Sequence, residues 1–481
     1  MAVEVVPMGI LTKLHEKMIA TALRGMAKAF PLVSDKRLES IVKKRIDTEI
    51  PYPEGRDFVT NMLTVVKHRF PQLARSVRKK AVEVFLVTAE VHGAKKREAL
   101  KNKLGYWAPF LFVVSPTMRC NLRCYGCYAG EYGKEDDLPW ELLDRVMREA
   151  KELGIYFVVI SGGEPFIYPH FWRLLETHND MYFQSYTNGT MIDEEAAKRL
   201  ADLGNLLPCI SVEGFERETD ERRGKGHFKR VMAAMDALNK HGVLFGFSAT
   251  ATRQNNETIA SEEFIDFYTE KGCFIGWYFN YIPIGKKPVL DLMPTPRQRV
   301  WRRRVLSEMR RKKKIVLADF WCDGALVGGC IAGGRHYFHI NNRGDVEPCV
   351  FCHFTCDNIR DKSLLEIIDS DFFRSFRRRQ PYHDNLFRPC AIIDNPQVLR
   401  DAVRENGARP THAGAEQIIT EFAPFLDRYA EEYGRLADKD WEEEYLPALD
   451  EKERRVFLEY MKWVKRENER VFTHRGAAAE K

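Results

Sequence analysis

Three cysteines carry the first chemistry legible in the chain. The segment Ser115-Pro-Thr-Met-Arg-Cys120-Asn-Leu-Arg-Cys124-Tyr-Gly-Cys127 spaces them C-x3-C-x2-C. Three thiolates on one short loop can surround a cubane iron–sulfur cluster and leave its fourth iron free for another ligand. Zinc asks for four ligands, usually from paired C-x2-C knuckles, and that pairing is missing here. A redox C-x-x-C would use only two of the three. A second field holds Cys322, Cys330, Cys349, Cys352, Cys356 and Cys390. Cys209 and Cys273 stand alone in apolar stretches and read as small buried hydrophobes.

The elements that must position these groups alternate regularly. Short apolar runs at Phe110–Val114, Tyr156–Ile160, Tyr182–Tyr186, Leu207–Val212, Val243–Thr250 and Phe274–Ile282 predict strands. Between them, Pro139–Leu153, Pro169–His178, Glu194–Leu203, Phe228–His241 and Ile259–Lys271 have helical patterning. Strand, helix, strand in strict succession implies a parallel sheet with helices on one face. In such sheets ligands collect at the C-terminal ends of the strands, and the cysteine triplet begins where the first strand ends.

Further short motifs end the later strands. Gly162-Gly163-Glu164-Pro165 follows strand two, Thr187-Asn188-Gly189 strand three, and Ser211-Val212-Glu213-Gly214 strand four. Arg222-Arg223-Gly224-Lys225-Gly226 precedes the next helix, and Tyr281-Ile282-Pro283-Ile284-Gly285 ends strand six. With the triplet, these elements resemble, in order, the motifs of the radical S-adenosylmethionine (SAM) superfamily over residues 110–285. The resemblance implies a partial (β/α)6 barrel, a [4Fe-4S] cluster on Cys120, Cys124 and Cys127, and SAM held by Gly162, Gly163, Glu164, Pro165, Thr187, Asn188, Ser211, Glu213, Arg253 and Ile282. The physics of the second motif agrees: paired glycines expose carbonyls to an ammonium, Glu164 adds negative charge, and Pro165 fixes the turn. One position departs from the family. The residue before the third cysteine, aromatic in that family, is Gly126, with Tyr125 before it and Tyr128 just after the cysteine.

Cys330, thirteen residues, Gly344, four residues and Cys349 resemble the opening of the SPASM/twitch extension that follows many such barrels. That resemblance implies an auxiliary iron–sulfur cluster on Cys330, Cys349, Cys390 and Cys352, with Cys356 in reserve, in a shortened, one-cluster form. A zinc shared by Cys349 and Cys352 is the alternative, and Cys322 reads as a packing residue. His336 and His339 lie three apart on strand text and so face opposite sides, which argues against a shared metal. Hairpin text runs through Tyr337–Asp345 around Asn342-Arg343-Gly344.

Composition bounds the rest. Apolar types make up 44% and charged types 30% of 481 residues, as in a folded globular protein of several domains. Residues 1–104 carry 21 Lys and Arg against 11 Asp and Glu, and residues 401–481 carry 14 against 19. The ends are thus +10 and −5 within a total of +6, an excess too small to imply nucleic acid. No apolar run is long enough to span a bilayer, no signal-peptide order opens the chain, and free thiols suit a cytoplasmic setting. Four regions are expected: a basic helical head over 1–105, the barrel over 106–296, the auxiliary-cluster region over 297–395 and an acidic helical tail over 396–481. In the head, Met8–Phe30, Lys36–Ile46, Arg56–His68 and Gln72–His92 read as helices. The first is basic and amphipathic, suited to packing or to peripheral contact with a lipid surface. The basic helix Arg297–Lys314 and the Arg377–Arg379 run read as solvated faces, the former with docking of an acidic electron donor as its functional alternative.

The activity implied is reductive SAM cleavage, with the resulting radical activating a C–H bond of an unidentified organic substrate. A lipid or long-chain molecule and a peptide are the competing substrate classes, and flavodoxin or ferredoxin is the implied electron donor. A non-catalytic iron–sulfur redox sensor is the alternative of another class, but a sensor needs no SAM-binding motifs.

Overall fold

The computed structural model describes residues 53–129 and 137–476, together with positions 25, 34 and 40. The helices expected over Met8–Phe30 and Lys36–Ile46 fall outside these residues, isolated positions apart. Among the described residues the head is helical, opening with α1 (Pro53–Arg69) and continuing through Arg75–Lys80, the π-helical Ala81–His92 and Gly93–Leu104.

The alternating text folds as read. β1 (Leu111–Val114), β2 (Phe157–Ile160), β3 (Tyr182–Thr187), β4 (Leu206–Val212), β5 (Gly246–Ala251) and β6 (Ile275–Asn280) pair in parallel in sequence order. The crossovers carry α2 (Trp140–Glu152), α3 (Phe171–Thr177), α4 (Glu194–Leu203), α5 (His227–Lys240) and α6 (Glu262–Glu270). Each buries one stripe: α2 turns Leu143, Val146, Met147 and Ala150 inward at the spacing of a helical face. Local chemistry sets the ends of α4, where Asp193 accepts from the Ala196 N–H at the start and Gly204 takes the left-handed conformation at the stop.

The sheet runs past residue 296. Helix α7 (Pro296–Lys312) leads into β7 (Val316–Asp319), a seventh parallel strand beside β6 that the sequence reading placed in the cysteine-rich region. On the other side, β8 (His339–Ile340) pairs in parallel with β1 and turns back through β9 (Asp345–Glu347), so the expected hairpin is joined to the barrel sheet itself. A further short strand, β10 (Asp357–Asn358), pairs with β9, and the order β10-β9-β8-β1-β2-β3-β4-β5-β6-β7 leaves the sheet open, with β10 and β7 on its edges. The head closes the end opposite the motifs. Val77 and Val84 pack on Tyr182, Leu207 and Leu244, and Phe85 stands 5.5 Å from Phe157 and 5.4 Å from Tyr182, the residues that begin β2 and β3.

Helix α7 overturns part of an expectation. Its arginines divide between two faces: Arg297, Arg304 and Arg311 are exposed, as read, whereas Arg299, Arg302, Arg303 and Arg310 are buried. Arg299 and Arg302 are fully buried, paired with Asp394 at 2.7 Å and Asp319 at 2.8 Å. Arg303 and Arg304 share Asp440, and Arg310 takes Asp323. Buried guanidinium groups persist only where carboxylates compensate them. The helix therefore clamps barrel, cysteine-rich region and tail together. Arg377 is likewise buried, its guanidinium 4.0 Å from the Tyr106 ring centre, whereas Arg378 and Arg379 reach Glu405 nearer the surface. The tail packs as α8 (Ala423–Lys439) and the helix Glu451–Gly476.

Candidate active site

The cysteine triplet lies on the loop that leaves β1, and three neighbouring loops hold it. Gly163 N–H donates to Thr117 O at 3.0 Å and Glu164 N–H to Arg119 O at 2.8 Å, so the glycine pair lies alongside the cluster loop. A Cβ on Gly162 would meet Thr117 O at 2.3 Å, and one on Gly163 would meet Arg119 O at 2.2 Å. Gly162 also sits at φ +114°, a conformation that side-chain-bearing residues avoid. The glycines are thus required by the close approach of two backbones, a reason additional to the exposure of their carbonyls.

Glu164 is fully buried. Its Oε1 accepts from Thr187 Oγ1 at 2.7 Å and its Oε2 from the Asn188 N–H at 2.7 Å, which ties the second motif to the third. Burial raises its pKa, opposed by those donors. Pro165 opens the short helical turn Pro165–Ile167 behind it. Asn188 reaches back to the cluster loop, donating to Asn121 Oδ1 at 2.8 Å with its amide nitrogen 3.8 Å from Cys120 Sγ. From the other side, Arg222 and Arg223 both pair with the buried Glu213, at 2.6 and 2.5 Å. Arg222 Nε donates to Tyr125 O at 3.2 Å, and Arg223 Nη1 lies 4.0 Å from Cys124 Sγ. Burial works against the Arg223 charge, but Glu213 and then Cys124 outweigh it and hold its pKa above the ordinary arginine value.

These loops roof a cavity of about 220 Å³. Gly162, Gly163, Thr187, Asn188, Ser211 and Ile282 line it together with the three cysteines. Glu164, Pro165 and Glu213 stand behind the lining. Arg253 is apart from it, its guanidinium 3.4 Å from Asp291 near the surface. Tyr125 is 55% exposed and does not line the cavity, whereas Tyr128 lines it, bonded to Ser161 at 2.7 Å and packed on Phe351. At Gly126, a Cβ would meet the Tyr281 ring at 2.8 Å. The ring of Tyr281, just after β6, thus fills the space beside Gly126.

Sequence reasoning missed the floor of this cavity. Gln184, Tyr186, Ser248, Thr250, Trp277 and Phe279 face it from β3, β5 and β6. The signal was available: each set recurs at period two, the spacing of one strand face.

The auxiliary cysteines also converge. Cys330, Cys349, Cys352 and Cys390 line one apolar cavity of about 380 Å³. Burial raises the pKa of each, Cys349 to about 11 and Cys390 to about 12, with neighbouring thiolates adding to it at Cys330 and Cys352 and the Asp394 charge at Cys390. Amide N–H groups of Phe351 and Ile392 point at Cys349 and Cys390 sulfurs at 3.5 and 3.3 Å. Cys356 is exposed, against Asn406 O, and stands outside this set. Cys322 packs on the α7 backbone, and Cys209 and Cys273 are buried among apolar side chains. His339 is bonded to Ser115 Oγ and Glu347 at 2.7 and 2.6 Å.

Both thiol groups suit an iron–sulfur cluster: the triplet, whose Cys120 burial pushes up to about 11, and the enclosed set of four. A bound cation favours the thiolate form of buried thiols of raised pKa, so a cluster and these cysteines would stabilise one another. Three ligands would leave one iron open at the triplet, and four would close a cluster at the auxiliary site.

Comparison with known proteins agrees with this division. The Radical SAM superfamily profile matches residues 114–267, and SPASM, an iron–sulfur cluster-binding domain, matches residues 330–391. The chain is 33% identical over 300 residues to the mycofactocin maturase MftC of Mycobacterium ulcerans, covering 57% of this chain and 79% of that protein. It is 25% identical over 321 residues to an AdoMet-dependent heme synthase of Methanosarcina barkeri, covering 60% and 90%. Streptococcus suis SuiB, solved with S-adenosylmethionine and with the precursor peptide SuiA, superposes with a TM-score of 0.50 at 22% identity, over 58% of this chain.

Proposed function

The chain is an enzyme of the radical SAM superfamily with a SPASM-type iron–sulfur extension, and on that premise we propose that it removes a hydrogen atom from an apolar carbon of a lipid or other long-chain substrate. A cluster held by Cys120, Cys124 and Cys127 would supply the electron for reductive cleavage of SAM, and SAM the radical that activates the substrate. The chain's own residues do the positioning. Cys120, Cys124 and Cys127 hold the cluster at the top of β1. The Gly162–Pro165 turn receives the amino group of SAM, Thr187 and Asn188 keep that turn against the cluster loop, and Ser211 and Ile282 face the nucleoside. Glu213 acts through Arg222 and Arg223, which fix the loop carrying Cys124.

The observation that carries the substrate reading is the cavity floor. Phe157, Tyr186, Trp277, Phe279 and Phe320 surround the space below the cluster loop, and the head seals the far end with Phe85. Such aromatic faces restrict water near a reactive radical, with the O–H and N–H groups of Tyr186, Trp277, Ser211, Ser248 and Thr250 among the polar points of the lining. A peptide substrate is the second reading, favoured by the likeness to the maturase MftC and by the SuiB fold, seen with its precursor peptide. A flavodoxin or ferredoxin supplies the electron in either case. No helix among the described residues is long and apolar enough to cross a membrane.

Anaerobic incubation with perdeuterated fatty-acyl or isoprenoid candidates, and in parallel with deuterated peptides, tests the proposal. Deuterium in 5′-deoxyadenosine from the long-chain set supports it. Deuterium from peptides alone replaces it with the second reading.

A further inference from the structure

Two cavities meet across a thin aromatic wall. Trp277, Phe320 and Ile331 line both the space under the cluster loop and the space around the auxiliary cysteines. Tyr337 belongs to the first lining, yet its hydroxyl ends 2.9 Å from Cys349 Sγ, which belongs to the second. The side chain is 1% exposed and its ring meets Phe320 edge on at 5.9 Å. The backbone fixes it: the Tyr337 N–H donates to Ile331 O at 3.1 Å, and its carbonyl accepts from Gly334 at 3.0 Å.

We propose that Tyr337 sets the reduction potential of the auxiliary cluster by donating its O–H to the Cys349 sulfur. The inference rests on the reading that Cys330, Cys349, Cys352 and Cys390 hold that cluster. A thiolate bound to iron carries no proton, so in this pair the phenol is the donor and the sulfur the acceptor. A hydrogen bond to a cluster sulfur stabilises the more negative, reduced state and moves the potential upward. Cys349 receives this O–H in addition to the Phe351 amide. The residue that tunes the auxiliary centre is therefore also part of the wall of the reaction cavity.

The test is an EPR-monitored redox titration of the full-length, anaerobically reconstituted protein and its Tyr337→Phe variant. SAM addition perturbs the signal of the triplet cluster alone and so separates the two centres. The auxiliary midpoint is expected to move to a more negative potential in Y337F while the triplet midpoint stays where it was. Should that variant fold poorly, 3-fluorotyrosine in place of Tyr337, a more acidic donor of nearly the same size, is expected to move the auxiliary midpoint the opposite way. An unchanged auxiliary midpoint with its signal intact overturns the role of Tyr337 and leaves the cluster standing. Iron sufficient for one cluster only, with no second signal in the unaltered protein, overturns the four-cysteine reading and the inference with it.

Discussion

Replacing Arg299 by Met tests the internal clamp of α7 most sharply. Arg299 is fully buried, its Nη1 is 2.7 Å from Asp394 Oδ1, and its guanidinium lies 3.5 Å over the Tyr433 ring. Asp394 uses its other oxygen to accept the Cys390 N–H at 3.0 Å. Arg299→Met leaves a buried carboxylate uncompensated, which costs about 3–5 kcal/mol. The lost cation–π contact adds up to about 2 kcal/mol, much of it already inside that figure. Asp394→Asn alone strands the guanidinium instead and is expected to cost about 3 kcal/mol or more. The double variant removes both charges yet keeps an acceptor for the Cys390 amide, so it is expected to recover at least about 2 kcal/mol relative to the sum of the singles. The assay is urea unfolding of the anaerobically purified full chain, with iron counted on each variant. Iron should fall in Arg299→Met because Asp394 orients the loop bearing Cys390. A shift in stability below about 0.5 kcal/mol, the size of an ordinary surface substitution, would mean that Arg299 sits in water and that the clamp does not exist.

Gly163→Ala should lower 5′-deoxyadenosine formation about tenfold or more, since its Cβ would meet Arg119 O at 2.2 Å and the cluster loop must move; activity within twofold of the unaltered chain would contradict that packing. Cys356→Ser should leave the iron content unchanged, whereas Cys352→Ser should lower it, and the reverse result would exchange their roles. His227 is buried at the start of α5, and burial, then Arg223 and Arg230, depress its pKa to about 4. The unfolded chain takes up a proton as pH drops below about 6.5, the folded chain only near 4, so stability should decline across that window and level off beneath it. Urea midpoints measured between pH 7 and pH 4 should show a shallower acid limb in His227→Phe; an identical limb would assign the acid sensitivity elsewhere.

The barrel was legible because its signals are local. Apolar runs such as Phe157–Ile160, helical stripes such as Leu143–Ala150 and the spacing of Cys120, Cys124 and Cys127 can each be read within one window. What escaped depends on partners distant in the chain. Arg299, Arg303 and Arg377 read as solvated because charge is surface chemistry unless a partner is known, and Asp394, Asp440 and Tyr106 lie far from them in sequence. β7 escaped because Val316–Asp319 is short and follows a strongly basic helix. In the site itself, the motif residues announced themselves, but the roles of Gly163 and Glu164 as fasteners of the cluster loop depend on contacts between different strands' loops. The preference for Cys352 over Cys356 was already made in the sequence, and Cys352 does line one cavity with Cys330, Cys349 and Cys390 while Cys356 is exposed.

The central claim is that Cys120, Cys124 and Cys127 hold a cluster whose open iron binds SAM. It is tested by reducing the anaerobically reconstituted chain with dithionite in the presence of SAM and measuring 5′-deoxyadenosine, alongside Mössbauer spectra of the same samples. The account predicts a cubane signal perturbed by SAM and 5′-deoxyadenosine formation in the unaltered chain, both lost in Cys124→Ala. Undiminished cleavage in that variant, or zinc in place of iron at the triplet, would contradict it.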